Sequence, residues 1–298
     1  MRMSALPEKV RQAIELEWGE IKETGHMKGI KQDGGCYRVE TRRGRLCAKP
    51  STVQEICLYS YLNRQDSPIH PHIPHFFAGI EEAEGPWLLM EYLPLEYPRS
   101  RWQGDGEQME VLAGLHGKTR GRPLQFHPGY TPLWSSTMKQ ALDQLFRDVE
   151  EVTLPNELLR QFEERVQGLF QPVCWVHGDP NPTNWRMRRD GTLVLLDWER
   201  LTAAHPAVDL AITLPGTGSL DGRQEYELAS IYWEHIHSEL AFPLAGSKED
   251  LGTQVWLAKL WSVAEYLIQV GEALPKEQAG QMAGQLAERL KNYFHRGE

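Results

Sequence analysis

The sequence is poor in cysteine, in net positive charge and in long apolar runs. Four cysteines occur in 298 residues, Cys36, Cys47, Cys57 and Cys174. None stands in a C-x-x-C spacing and all have apolar neighbours, so buried thiols of a cytoplasmic protein are expected rather than zinc or disulfides. The net charge of −9 argues against broad binding to nucleic acid or to an anionic membrane. No apolar stretch approaches bilayer-spanning length, and no apolar core follows the first charged residues, so neither a membrane span nor a signal peptide is expected. Internal repeats and low-complexity tracts are absent. A glycine-rich G-x-G-x-x-G is also missing. The nearest segment is Lys31-Gln32-Asp33-Gly34-Gly35-Cys36, whose glycines suit a hairpin turn or a close backbone approach to phosphate. The length suffices for one large or two modest domains with real cores.

What is present changes texture along the chain. Residues 7–18 read as an amphipathic helix on Val10, Ile14 and Leu16. From 21 to 50 short strands are expected, with 36–41 and 45–48 flanking a turn at Arg42-Arg43-Gly44. Ser51 or Thr52 suits the N-cap of a helix running to about Leu62, with Glu55 in its first turn. Two further strands are expected at 75–80 and 87–92, joined by the acidic turn 81–85. Beyond these, helices are expected over 107–116, 137–149, 156–170, 223–237, 250–272 and 276–294. The fold class is therefore α+β: a small sheet-containing domain over 1–93, then a mainly helical domain over 94–298. Pro94 and Pro98 suit the linker.

The most informative segment is Cys174–Glu199. It carries H-G-D-x-x-x-x-N at His177–Asn184, then a hairpin signal, then an apolar strand ending on Asp197. Asp-Gly at 190–191 marks the turn, so the returning strand is expected to carry Asp197 back beside the loop holding Asp179 and Asn184. Two carboxylates and an amide oxygen suit a hard cation and a base acting on a hydroxyl. Asp and Asn are also common in loops for purely local reasons, but the apolar strands before and after this loop favour a functional reading.

This segment resembles the catalytic loop and metal-binding strand of the aminoglycoside phosphotransferase and choline kinase family, small-molecule relatives of protein kinases. The resemblance implies a bilobal kinase-like fold with ATP and Mg²⁺ as cofactors. It implies transfer of the γ-phosphate to a hydroxyl of a small molecule such as an aminoglycoside, a choline-like amine, an amino alcohol or a sugar. Asp179 is then the catalytic base, and Asn184 and Asp197 the metal ligands. His177 and Gly178 are structural. Gly178 stands where protein kinases carry Arg, which argues against activation-loop control and a protein substrate.

The same resemblance extends to roughly residues 20–215. Lys49, ending the strand Arg45-Leu46-Cys47-Ala48-Lys49, implies a contact to the α/β-phosphates, with Glu55 as its partner; a solvated strand-end charge is the alternative. Met90-Glu91-Tyr92-Leu93 resembles the hinge, with Met90 behind the adenine pocket and Glu91 and Leu93 offering backbone bonds. An ordinary core strand explains the same residues. His116 is expected to be structural, and Asp209 either braces the catalytic loop or caps a helix. Acids at 221–250, namely Asp221, Glu225, Glu227, Glu234, Glu239, Glu249 and Asp250, would favour a cationic acceptor if they faced it, or form a solvated face. The rival reading of a different class is a non-catalytic, kinase-like nucleotide-binding or structural protein.

Overall fold

The computed structural model describes residues 6–27, 35–148, 156–240 and 246–295. Strands and helices are numbered along the chain. Two compact units form, Met1–Glu96 with Trp185–Trp198, and Tyr97–Asn184 with Glu199–Glu298.

In the first unit, helix α1 (Glu8–Trp18) buries Val10 and Ile14, four residues apart and so on one face. Leu16 does not join them and is 80% exposed; two residues after Ile14, it points to the opposite side of the helix. Val10 and Ile14 pack on Val39, Leu46, Ala48, Trp87 and Leu89. These five residues project from one face of an antiparallel sheet made of β1 (Ile21–Met27), β2 (Cys36–Thr41), β3 (Arg45–Pro50), β4 (Phe76–Ile80) and β5 (Trp87–Glu91), in the order β1-β2-β3-β5-β4. Side chains alternate along a strand. Because Leu46 and Ala48 face α1, Cys47 and Lys49 face the other side, together with Cys36, Leu88 and Met90. Helix α2 (Val53–Leu62) starts at Thr52, whose hydroxyl accepts the Glu55 N–H at 3.0 Å.

The same unit holds a three-stranded sheet that the sequence reading only half anticipated. The expected hairpin forms from β8 (Trp185–Met187) and β9 (Leu193–Leu195), with Trp185 opposite Leu195. Its turn closes with Gly191 N–H donating to the Arg188 carbonyl at 3.1 Å and Arg188 N–H donating to Thr192 at 2.9 Å. Gly191 sits at φ 93°, a backbone that side chains disfavour. The stretch read as a linker contributes a short strand, β6 (Leu95–Glu96), which pairs with β8 between the two prolines.

The second unit is mainly helical: α3 (Gly106–Thr119), α4 (Ser136–Asp148), α5 (Asn156–Val166), α6 (Ala207–Thr213), α7 (Arg223–Leu240), α8 (Lys248–Val270) and α9 (Lys276–His295). A small antiparallel pair, β7 (Cys174–Val176) with β10 (Thr202–Ala204), sits among them. Helix α8 is buried over much of its length, from Leu251 to Leu267, and packs against α4, α5, α6, α7 and α9. Its Lys259 is buried and donates to the Leu214 carbonyl at 2.6 Å. No helix among the described residues is long and apolar enough to cross a membrane.

Burial, reinforced by Arg289 and opposed by Glu225, pulls the Lys259 ammonium down to about 7. Its folded value lies below its unfolded one, so the unfolded chain binds more protons above about pH 7. Wild-type stability relative to Lys259→Met should therefore rise between about pH 7 and about pH 9.5. Urea midpoints at the two pH values test this; a parallel change in the two proteins would refute it.

Two expectations need correction. Cys47 and Cys174 are buried, but Cys57 is exposed on α2 and Cys36 is partly exposed, because both lie on element faces that the local core does not cover. Of the acids at 221–250, Glu225 is fully buried and ion-paired with Arg289, so it is not available to an acceptor. Asp221 pairs with Arg223, and Asp250 accepts from Ser247 at the start of α8. The Glu239 side chain lies outside the described residues.

Candidate active site

In the first unit, strand alternation and helix register bring three predicted residues together. Lys49 Nζ lies 2.6 Å from Glu55 Oε1 and 3.6 Å from Asp197 Oδ1. Thr52, by capping α2, fixes the turn that carries Glu55, and Ser51 Oγ donates to the other Glu55 oxygen at 2.6 Å. Burial works against the Lys49 charge, but the Glu55 and Asp197 carboxylates beside it raise its pKa, so the ammonium persists at neutral pH. Tyr59 escaped the sequence reading. It lies four residues after Glu55, hence on the same helix face, and its hydroxyl accepts the Asp197 N–H at 3.2 Å. Burial raises the Tyr59 phenol well above its usual range, so it stays protonated.

Asp197 has φ 63°. Among non-glycine residues this left-handed conformation is uncommon, though Asp tolerates it better than most. The abrupt end of β9 thus turns the chain where Asp197 stands and leaves its side chain 43% exposed. The hinge-like segment is built differently from its bland appearance in the sequence. Met90 is buried opposite Cys47. Glu91 N–H donates to the His75 carbonyl at 2.9 Å, so that N–H is already committed. The Glu91 carboxylate receives two bonds from Arg188, at 2.9 and 2.8 Å. Burial tends to raise this carboxyl, but Arg188 and the His75 N–H hold it below its usual range. A cleft of about 760 Å³ runs beside Glu91 and Leu93, lined also by Arg42, Arg45, Arg188 and Arg189; Lys49 and Asp197 are not part of its lining. Of the Gly-Gly segment, Lys31, Gln32, Asp33 and Gly34 lie outside the described residues.

In the second unit, the loop after β7 is held by a buried network. Asp209, on α6, turns its carboxylate away from its own helix and accepts the N–H groups of His177 and Gly178, each at 2.8 Å. It also meets His116 Nε2 at 3.0 Å, and His116 Nδ1 meets the Tyr232 hydroxyl at 2.7 Å. Asp209 therefore braces the loop and is not a simple helix cap. His177 is fully buried, and its Nδ1 accepts the Asp179 N–H at 3.1 Å. The Asp179 carboxylate accepts from Asn181 Nδ2 at 2.8 Å and from Asn184 Nδ2 at 3.2 Å. Arg200, which no sequence signal marked, stacks 3.7 Å from the Tyr130 ring centre and pairs with Glu265 at 3.1 Å.

Gly178 has φ 82°, and a Cβ there would lie 2.5 Å from the Arg200 carbonyl oxygen. Gly178→Ala should therefore displace the loop. We expect a stability loss of about 2 kcal/mol or more, from backbone strain plus the clash, read as a lower urea midpoint. An unchanged midpoint would show that the loop relaxes freely.

Chemically, the first unit gathers a persistent cation beside two carboxylates, an arrangement suited to phosphate and metal. The second offers a positioned carboxylate, Asp179, and an amide, Asn184, whose nitrogen is committed to Asp179 so that its oxygen points elsewhere. Carboxylate and amide oxygens are hard donors that fit Mg²⁺, which is commonly held by one or two carboxylates together with phosphate oxygens. No group of three or more His, Cys, Asp or Glu among the described residues forms a ready-made metal cage.

Residues 31–241, more than half of the chain, match the Phosphotransferase enzyme family, APH. The chain belongs to this phosphotransferase family. The fold agrees. Choline kinase LicA from Streptococcus pneumoniae superposes with a TM-score of 0.59 at 14% identity, covering 97% of this chain and 98% of that one. Choline kinase from Cryptosporidium parvum Iowa II gives 0.62 at 12% identity, with 97% of each chain covered. Spectinomycin phosphotransferase APH(9)-Ia, solved with ADP and spectinomycin, gives 0.62 at 9% identity, covering 98% and 99%. By sequence, no curated protein matches. The α+β kinase-like architecture expected from the sequence, with a small antiparallel sheet and a helical C-terminal part, is thus the fold of this phosphotransferase.

Proposed function

We propose that the protein transfers the γ-phosphate of ATP to a hydroxyl group of a small molecule. The observation that carries this reading is Lys49 held between Glu55 and Asp197, 2.6 and 3.6 Å away. A half-buried ammonium at a strand end, fixed by a helix carboxylate with a second carboxylate close by, is a positioned positive charge suited to a phosphate ligand. Solved relatives bound to ADP and AMP support nucleotide use. Residues 1–93 would bind the nucleotide and 94–298 would supply the catalytic loop and the acceptor helices.

Mg²⁺-ATP supplies the transferable phosphoryl group and the metal charge that stabilises it. The chain's own residues do the positioning. Lys49 would contact the α/β-phosphates, and Glu55 would fix its direction. Met90 would close the back of the adenine pocket, and Glu91 and Leu93 would hold the base edge. Asp197 and Asn184 would be the residues that offer oxygens to the metal. Asp179, held by two amide N–H groups, would orient the acceptor hydroxyl and take its proton. The burial of Glu225 removes one argument for a cationic acceptor, so amines, amino alcohols and sugars stand equally as candidates.

Mg²⁺-ATP at about a hundred times its Kd should raise the melting temperature by about 5 °C or more, by mass action on the folded state. Lys49→Ala should reduce that shift while leaving the unliganded protein folded. Absence of any shift across millimolar ATP and GTP would count against the assignment. A shift without turnover in a broad acceptor screen would favour the non-catalytic relative instead.

A further inference from the structure

Cys36 and Cys47 stand on neighbouring strands with their Sγ atoms 2.8 Å apart. They occupy diagonal positions of the β2–β3 ladder, where Arg38 pairs with Cys47 and Tyr37 with Ala48. Both lie on the face that carries Lys49 and Met90, opposite the α1 core. A disulfide has an S–S length of about 2.05 Å, so bonding needs less than about 1 Å of approach between the two sulfurs. The two sulfurs differ in setting. Cys36 is partly exposed, whereas Cys47 is 3% exposed. The hydrogen bond with Cys47, against the opposing effect of burial and with help from Lys49, lowers the Cys36 thiol; the bond to Cys36 and burial raise that of Cys47.

We propose that Cys36 and Cys47 form an oxidisable dithiol, which a hydroperoxide converts to a single intrachain disulfide on the Lys49 face of the sheet. The Cys36 thiolate attacks one peroxide oxygen. The O–O bond breaks, an S–O bond forms, and the departing hydroxide takes a proton to become water. Cys47 sulfur then attacks the Cys36 sulfenic acid. The S–S bond forms, the S–O bond breaks, and hydroxide leaves as water with the Cys47 proton. Two thiols and one hydrogen peroxide yield one disulfide and two waters, with two electrons passing from sulfur to oxygen. Cys47 lies two residues before Lys49 and opposite Met90, so nucleotide on this face would shield the pair. That last consequence rests on the proposed function; the dithiol itself does not.

The test uses the full chain with Cys57→Ser, because Cys57 is exposed and would react independently. After hydrogen peroxide treatment, intact mass should fall by two hydrogens, and digestion should yield one Cys36–Cys47 linked peptide that dithiothreitol separates. Cys36→Ser and Cys47→Ala should each abolish the link. If Cys36 instead accumulates higher oxides with Cys47 free, or neither reacts, the dithiol is overturned. A second arm adds Mg²⁺-ATP before the peroxide and should slow linkage at least fivefold. Linkage that forms but ignores nucleotide sustains the dithiol and counts against the proposed nucleotide position alone.

Discussion

Asp179→Asn should lower phosphotransfer by about 10²- to 10⁴-fold, the usual scale for a lost general base, with Mg²⁺-ATP affinity within a few-fold of wild type. The substitution keeps the shape of the side chain and removes its ability to accept a proton. Asp209 holds the backbone of His177 and Gly178 independently of that carboxylate, and the Asn side chain keeps one oxygen to accept from Asn181 or Asn184. Asp197→Ala is expected to behave differently. It removes an oxygen donor beside Lys49, so nucleotide binding and turnover should both fall. Nucleotide titration and phosphotransfer on both variants, with an acceptor found by screening, separate the two roles. Near-wild-type turnover in Asp179→Asn would overturn the assignment of the base.

Asp209→Ala should have the largest effect on stability. The Asp209 side chain is fully buried and serves two backbone N–H groups and the His116 ring. Truncation leaves all three without their acceptor in a site closed to water. Breaking a buried charged network of this kind costs about 3–5 kcal/mol. The melting temperature should therefore drop by about 10 °C, and phosphotransfer should be lost with the shape of the loop. His116→Gln, which retains a donor, should cost less. A stability loss under about 1 kcal/mol for Asp209→Ala would mean that water replaces the carboxylate.

Much of this was legible along the chain because it depends on short-range pattern. The β8–β9 hairpin followed from Asp-Gly between apolar runs. The cap of α2 followed from Ser-Thr ahead of an apolar helix with Glu55 at its third position. Pairing of Lys49 with Glu55 needed one further step, that a strand-end lysine and a first-turn helix carboxylate meet across a short connection. Other features left weak traces. Strand β6 has two residues between prolines and pairs only because β8 offers a partner. Strands β7 and β10 have three residues each, too few for a periodic signal, and are separated by the whole hairpin. Leu16 was misjudged because apolar character was counted without regard to helix angle.

The sequence by itself determined the α+β order of elements, the loop with Asp179 and Asn184, the strand ending at Asp197 and the lysine of β3. These are set by local propensity, alternation and turn chemistry, which act over a few residues. Tertiary structure alone decided that Asp209 braces the loop rather than capping α6, that Tyr59 receives the Asp197 N–H, that Arg188 grips Glu91, and that Cys36 meets Cys47. Each of these is a choice among several polar partners separated by 11 to 138 residues. Such choices are fixed by burial, which drives most enclosed donors and acceptors to find a mate, and burial is a property of the packed chain.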